Sequence, residues 1–183
     1  MQQPSKTDLI FENNWRRQQE IKGRVLIDVI YNKLFSTQNY KCMILRNERE
    51  DADMLDKHFA IDVQIKTLTG LILVGQEKVL SNEFVKFKSL TIEHYQNWRT
   101  MEIGDWYKMA VQFYFVGYLN KEKTGFEIWV LVNWANIVKR TFLNEIKWIE
   151  QQNKKEGAKA SFKYCHFDSL PPDCIMYSSL VGA

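Results

Sequence analysis

Asp62, Gln76 and Lys78 are the residues whose types and spacing could act together chemically. They lie in residues 58–80, where Ile61, Val63 and Ile65 alternate with Asp62, Gln64 and Lys66. That is the period of a half-buried strand. Thr69-Gly70 supplies a turn, and a second β-rich run over residues 71–74 leads into Gln76-Glu77-Lys78, which together predict a hairpin. If residues 68–70 form a three-residue loop, Thr67 faces Leu71 and, counting outward, Asp62 faces Gln76. Directly opposed residues project from the same face. Asp62, Gln76 and Lys78 then converge and can form a metal site. A two-residue loop pairs Asp62 with Glu77 instead and sends Gln76 and Lys78 to the other face. Both registers are open to the sequence, and the chemistry depends on which is taken.

The elements that must position this hairpin follow from the rest of the pattern. Residues 1–12 read as a short arm and residues 13–35 as a helix, on which Ile21, Val25, Asp28, Val29 and Asn32 share a face widened by Leu26, Ile30 and Leu34. Gly23 weakens its middle, and Arg16, Arg17, Lys22 and Arg24 make its early turns basic. Asp28 stands inside an apolar run. Either it reaches water at the edge of the stripe, or it needs a cation, because an unpaired buried carboxylate is costly.

Residues 40–45 suit a short strand. The acid-rich residues 46–57 read as a solvated connection, since they lack the glycine and ligand order of an EF-hand loop. A strand is expected over residues 83–93, then an aromatic and polar loop over 94–107. Two strands at 109–119 and 126–134 are joined by Asn-Lys-Glu-Lys-Thr-Gly, a strong hairpin signal. An amphipathic helix is expected over residues 135–152 and a last short strand over 161–167. The order predicts an α+β fold with a central mixed sheet flanked by helices.

Composition bounds the reading further. The 183 residues are one domain's worth, with no internal repeat or dividing linker. A hydrophobic fraction of 45% argues against extensive disorder. The net charge of +3 permits a polyanionic partner without requiring one. Three widely spaced cysteines without a CxxC pair point to free thiols rather than a disulfide framework or zinc ribbon. No run approaches the roughly 18 apolar residues of a membrane span, and the polar N-terminus lacks a signal-peptide core. A cytoplasmic, intracellular protein that does not enter membranes is expected.

A carboxylate on one strand, a (Asp/Glu)-x-Lys motif on the next and a preceding helix with a further acid resemble the PD-(D/E)xK nuclease superfamily. Asp62 matches its first-strand aspartate, and Gln76-Glu77-Lys78 its second motif with glutamine in place of the acid. Asp28 matches the helix acid, with Glu20 as substitute. Ile61 stands where the proline of the motif's name would be. The resemblance covers residues 20–93 as the catalytic core, leaving 94–183 for the remaining strands, a helix and a tail. It implies a restriction-endonuclease-like core and magnesium- or manganese-dependent hydrolysis of DNA, with a homodimer as one possible assembly. Asp62, Gln76, Asp28 and Glu93 would hold the metal, and Lys78 would orient water or stabilise the transition state. Arg16, Arg17, Lys22, Arg24, Lys86 and Lys88 would track phosphates, and Trp98 and Trp106 would stack on bases.

Other readings stay open. Asp62 and Lys78 could form a plain cross-strand ion pair. Gln64-Ile65-Lys66 is a second amide-x-lysine triplet, with Asp53 or Asp56 upstream. His58, His94 and His166 lack zinc spacing. A catalytically silent relative, or an unrelated module binding nucleic acid or protein, would use the same basic and aromatic residues.

Overall fold

The computed structural model of the chain describes residues 6–46, 50–153 and 158–180, and of residues 6–20 and 50–53 the backbone alone. In chain order the elements are α1 (Lys6–Phe35), β1 (Met43–Arg46), α2 (Glu50–Phe59), β2 (Val63–Lys66) and β3 (Ile72–Leu80). A 3-10 turn (Asn82–Phe87) precedes β4 (Ser89–Asn97), β5 (Glu102–Ile103), α3 (Asp105–Lys108), β6 (Phe113–Leu119) and β7 (Phe126–Asn133). The chain ends with α4 (Trp134–Phe142), β8 (Ile149–Gln152), β9 (Ser161–His166) and β10 (Ile175–Ser178), the last two separated by short 3-10 turns. This is a mixed α/β fold. No described helix is long and apolar enough to cross a membrane.

A six-stranded sheet in the order β1-β2-β3-β6-β7-β10 lies at the centre, and it is mixed because β3 and β6 run parallel while the other neighbours are antiparallel. The all-buried strand β6 shows why the sheet is covered on both faces. Its Phe113 and Phe115 meet Tyr31 of α1 edge-on, with ring centroids 5.7 and 6.0 Å apart. On the other face, Tyr114 and Tyr118 donate their hydroxyls to the Thr91 and Ser89 carbonyls of β4, each at 2.8 Å. That face is covered mainly by a second, four-stranded antiparallel sheet, β5-β4-β9-β8, rather than by helices as the sequence pattern suggested.

Several boundaries differ from the expectation for identifiable reasons. Helix α1 starts at Lys6, so only residues 1–5 of the expected arm fall outside the described residues. Its buried stripe runs through Gly23, Ile27 and Tyr31, while Ile21, Val25 and Val29 are exposed. The helix crosses β3 at Gly23, where a Cβ would come within 2.6 Å of the Val79 side chain. The glycine that weakens the helix locally is what lets it pack. The solvated connection contains α2. The strand expected over residues 83–93 is split, because Lys88 takes a left-handed conformation (φ 42°) between the 3-10 turn and β4. The loop over 94–107 contains the end of β4, β5 and α3. The last predicted helix stops at Phe142. Asn144 is left-handed (φ 58°), and the chain re-enters a sheet as β8. Strands β6 and β7 do pair as the expected hairpin.

Candidate active site

The register of β2 and β3 pairs Val63 with Gly75, Gln64 with Val74, Ile65 with Leu73 and Lys66 with Ile72. The Thr67 N–H donates to Leu71 O at 2.8 Å, and Gly70, at φ 79°, donates to Thr67 O at 3.0 Å. The loop therefore has three residues, and Asp62 stands opposite Gln76. Its backbone N–H donates to Gly75 O at 2.9 Å.

Asp62 is delivered there by the end of α2. Ala60 adopts φ 49°, its N–H returns to Asp56 O at 2.9 Å, and Ile61 N–H returns to Leu55 O at 3.3 Å. A left-handed residue closing a helix with backward hydrogen bonds is an αL-type stop. The chain turns sharply and places Asp62 at the mouth of β2.

Beyond Gly75, β3 continues while β2 has no further partner for it. A cleft of about 350 Å³ opens at this step, lined among others by Arg24, Asp56, Asp62, Gln76, Lys78 and Asp105. Asp62 Oδ2 reaches across and accepts the Glu77 N–H at 2.9 Å. Burial pushes the Asp62 carboxyl up to about 7. The charges of Asp56 and Glu77 add to the rise, while the Glu77 N–H and Arg24 oppose it. Gln76 is buried, and its Oε1 has no hydrogen-bond partner. Such an orphaned acceptor costs about 1–3 kcal/mol unless a donor or cation meets it. Lys78 extends on the same side, its Nζ 5.4 Å from the Phe162 ring centroid. Burial lowers its pKa against the charges of Asp105 and Glu93, which raise it. Both acids are in turn raised, chiefly by burial.

The expected site residues fall into groups. Asp62, Gln76, Lys78 and Arg24 line one cleft. Glu93, on β4, lies near enough for its charge to act on Lys78. Asp28 sits elsewhere. It pairs with Arg46, which also holds Glu77 at 2.8 Å between Nη2 and Oε1. This network lies on the α1 side of β3, where burial and the Glu77 charge hold the Tyr31 hydroxyl well above its ordinary pKa. Lys22 is exposed on α1, and Lys86 and Lys88 border a different cavity. The side chains of Arg16, Arg17 and Glu20 lie outside the described residues, as does that of Asp53.

Asp56, considered upstream of Gln64-x-Lys66, instead shares the cleft with Asp62, whereas Lys66 is exposed near the hairpin turn. Trp106 packs edge-on against Trp148 at 4.8 Å and is engaged in the core. Trp98 is half-buried, with the Arg99 guanidinium 5.2 Å from its ring centroid.

Asp105 was not singled out from the sequence, because residues 94–107 read as an irregular loop. A Gly-Asp step opening a short helix is the signal that could have found it. His94 was read as a lone histidine. It is buried, with Nε2 2.6 Å from the Tyr107 hydroxyl and Nδ1 2.8 Å from Glu150 Oε1.

Among the described residues no group of three or more His, Cys, Asp or Glu side chains is placed to hold a metal ion. The oxygen donors that the cleft does hold are a carboxylate and a neutral amide oxygen. Magnesium is commonly held by one or two carboxylates plus substrate oxygens, and Asp62 with the unpartnered Gln76 Oε1 offers that kind of oxygen donor. Comparison of the chain with family models, curated proteins and solved structures finds no match in any of the three.

Proposed function

We propose that the protein is a metal-dependent nuclease that hydrolyses phosphodiester bonds in DNA, with its active site where β2 ends and β3 continues. The observation that carries this reading is the pairing of Asp62 with Gln76, which brings a carboxylate, an unpartnered amide oxygen and a half-buried lysine to one cleft. The PD-(D/E)xK resemblance asks for such a set, with Gln76 at the place of the second acid. The α1-side network takes Asp28 out of that set, and Asp105 takes its place as the further acid on the cleft wall.

Magnesium or manganese bound there would acidify a coordinated water and neutralise non-bridging phosphate oxygens. The chain's own groups do the rest. Ionised Asp62 and the Gln76 carbonyl present oxygen ligands, and the Glu77 N–H keeps the Asp62 carboxylate in one orientation. Lys78 supplies a positive charge to the phosphate as negative charge develops on it. Asp105 and Glu93 favour the charged form of that lysine. Arg24 offers the cleft a second cation for a flanking phosphate. The water oxygen bonds to phosphorus as its proton passes to solvent, one ester P–O bond breaks, and the departing oxygen takes up a proton from solvent.

The test is degradation of plasmid and linear DNA with magnesium, manganese or EDTA, comparing the wild type with Asp62→Ala and Lys78→Ala. Cleavage in either metal, lost in EDTA and in both variants, is the expected result. Unchanged cleavage in both variants excludes this cleft. DNA binding without cleavage under any condition favours a silent binding relative.

A further inference from the structure

The 3-10 turn between β3 and β4 has an unusual composition for an exposed connection. None of its residues is buried, yet it carries Phe84 and Phe87, 43% and 48% exposed. Residues three apart eclipse one another in a 3-10 helix, and the two rings stack with centroids 6.4 Å apart and planes 28° apart. Lys86 lies between them in sequence and holds its Nζ 5.2 Å from the Phe87 ring centroid. Burying the rings would stabilise the fold. The sequence leaves them outside beside cations.

Beneath the turn is a cavity of about 470 Å³, walled by Lys86, Phe87, Lys88, His166, Asp168 and Leu180. Its shape is fixed by backbone. Lys88, left-handed at φ 42° and ψ 54°, accepts the Phe167 N–H at 2.8 Å. His166 Nδ1 lies 3.0 Å from the Phe87 carbonyl. A carbonyl only accepts, so Nδ1 carries the proton and Nε2 is left for an incoming group. One wall thus offers Lys86 and Lys88 to an anion, the His166 Nε2 lone pair stands beside them as an acceptor for an N–H or O–H group, and an aromatic face adjoins them. Asp168 accepts N–H or O–H groups and opposes a second phosphate.

We propose that this turn and cavity form a subsite for an unpaired nucleotide of a nucleic-acid strand. The base stacks on Phe84 or Phe87, the phosphate meets Lys86 and Lys88, and Asp168 accepts from the base or sugar. Stacking on aromatic rings beside a basic track is how single strands are held without sequence readout, and the cavity volume lies in the range of ordinary small-ligand sites. This inference rests on the nucleic-acid reading above but not on the chemistry at Asp62.

The test measures fluorescence anisotropy of a dye-labelled oligothymidylate of about ten nucleotides and of a duplex of equal length, without metal, on an Asp62→Asn background so that nothing is cut. The protein should prefer the single strand. Phe84→Ala with Phe87→Ala should weaken single-strand binding about tenfold or more while leaving duplex binding unchanged. Lys86→Ala with Lys88→Ala should flatten the salt dependence by about 1.4 units on a log–log plot. Melting curves check that both pairs stay folded. Duplex preference in the parent, or single-strand binding unchanged in the phenylalanine pair, overturns the proposal. Failure of the nuclease reading shows separately, as absent cleavage by protein retaining Asp62 while single-strand binding persists.

Discussion

Asp62 Oδ2 accepts the backbone N–H of Glu77 at 2.9 Å, across the gap where β2 has ended and β3 continues. The carboxylate takes the place of the next strand carbonyl. It satisfies an N–H that burial would otherwise leave unpaired and ties the orientation of Asp62 to the two residues, Gln76 and Lys78, that flank Glu77 in sequence. One hydrogen bond therefore couples the hairpin register to the layout of the cleft.

That buried carboxylate makes stability depend on pH in a defined direction. Its folded pKa of about 7 lies above its ordinary value of 3.8, so the fold favours the protonated form. The stabilising contribution is complete below the ordinary value and is lost as pH rises through about 7. Asp62→Asn should therefore gain stability relative to the wild type between pH 5 and pH 8, by on the order of 2–3 kcal/mol. Urea denaturation at the two pH values measures this. Cleavage should show the opposite trend, rising with pH through the same region as Asp62 ionises. An Asn variant that gains nothing on the wild type between the two pH values would contradict the burial argument.

Gln76 offers a second, independent measurement. Its unpartnered Oε1 is a neutral ligand. Gln76→Glu adds a charge beside Asp62 and should tighten manganese binding about tenfold, the scale expected of one added carboxylate ligand at a partly solvated site. Gln76→Leu should weaken binding but raise stability slightly, since the orphaned oxygen is gone. Calorimetric titration and melting read the two effects separately. Equal manganese affinity in all three proteins would place the metal elsewhere.

What could be read in advance divides along physical lines. The β2–β3 hairpin was legible because alternation and the turn glycine act locally, and the correct register is one of the two that the sequence allows. Asp105 was not legible. Its approach to Lys78 is made across two sheets, by packing between residues distant in sequence. The fate of Asp28 was equally hidden, because its partner Arg46 comes from an edge strand on the far side of a loop. The periodicity of Phe142, Ile146 and Ile149 pointed to helix, but it continued past a left-handed Asn144 into β8. Phe142 is 86% exposed and Ile146 is buried, which no single helical face would produce.

The Asp28–Arg46–Glu77 network should be costly to break and cheap to replace. Glu77 is almost fully buried and Arg46 nearly so. Removing the guanidinium in Arg46→Ala leaves a buried carboxylate uncompensated, a loss of about 3–5 kcal/mol. The double change Arg46→Met with Glu77→Gln should recover most of that, since neither charge then remains in the pair. A thermodynamic cycle from urea denaturation measures the coupling. A mild effect of Arg46→Ala alone would mean that water reaches Glu77.

Gly23→Ala tests the helix packing without touching the cleft chemistry. The new Cβ would meet Val79 Cγ2 at 2.6 Å and Cγ1 at 2.9 Å, and a branched side chain held between layers has little room to give. Overpacking should outweigh the gain in helix propensity and cost about 1–3 kcal/mol. Val79→Ala in the same chain should restore part of it. A stabilised Gly23→Ala would show that α1 can lift from β3.

Lys78 separates a catalytic role from a structural one. Its half-buried ammonium lies near Asp105 and Glu93, whose carboxyls are both raised chiefly by burial and lowered by this lysine. Lys78→Met keeps the length of the side chain and removes the charge. Both carboxyls should then rise further, so their contribution to stability is lost more steeply as pH increases. The melting temperature of Lys78→Met should fall relative to the wild type between pH 5 and pH 8, and Asp105→Asn should reverse the fall by removing one of the two opposed acids. Cleavage should be lost in Lys78→Met and should not return in the double variant, because the fold is restored but the charge facing the phosphate is not. Recovery of cleavage together with stability would reduce Lys78 to a structural counter-charge, and a melting profile parallel to the wild type would mean that the lysine and the two acids do not sense one another.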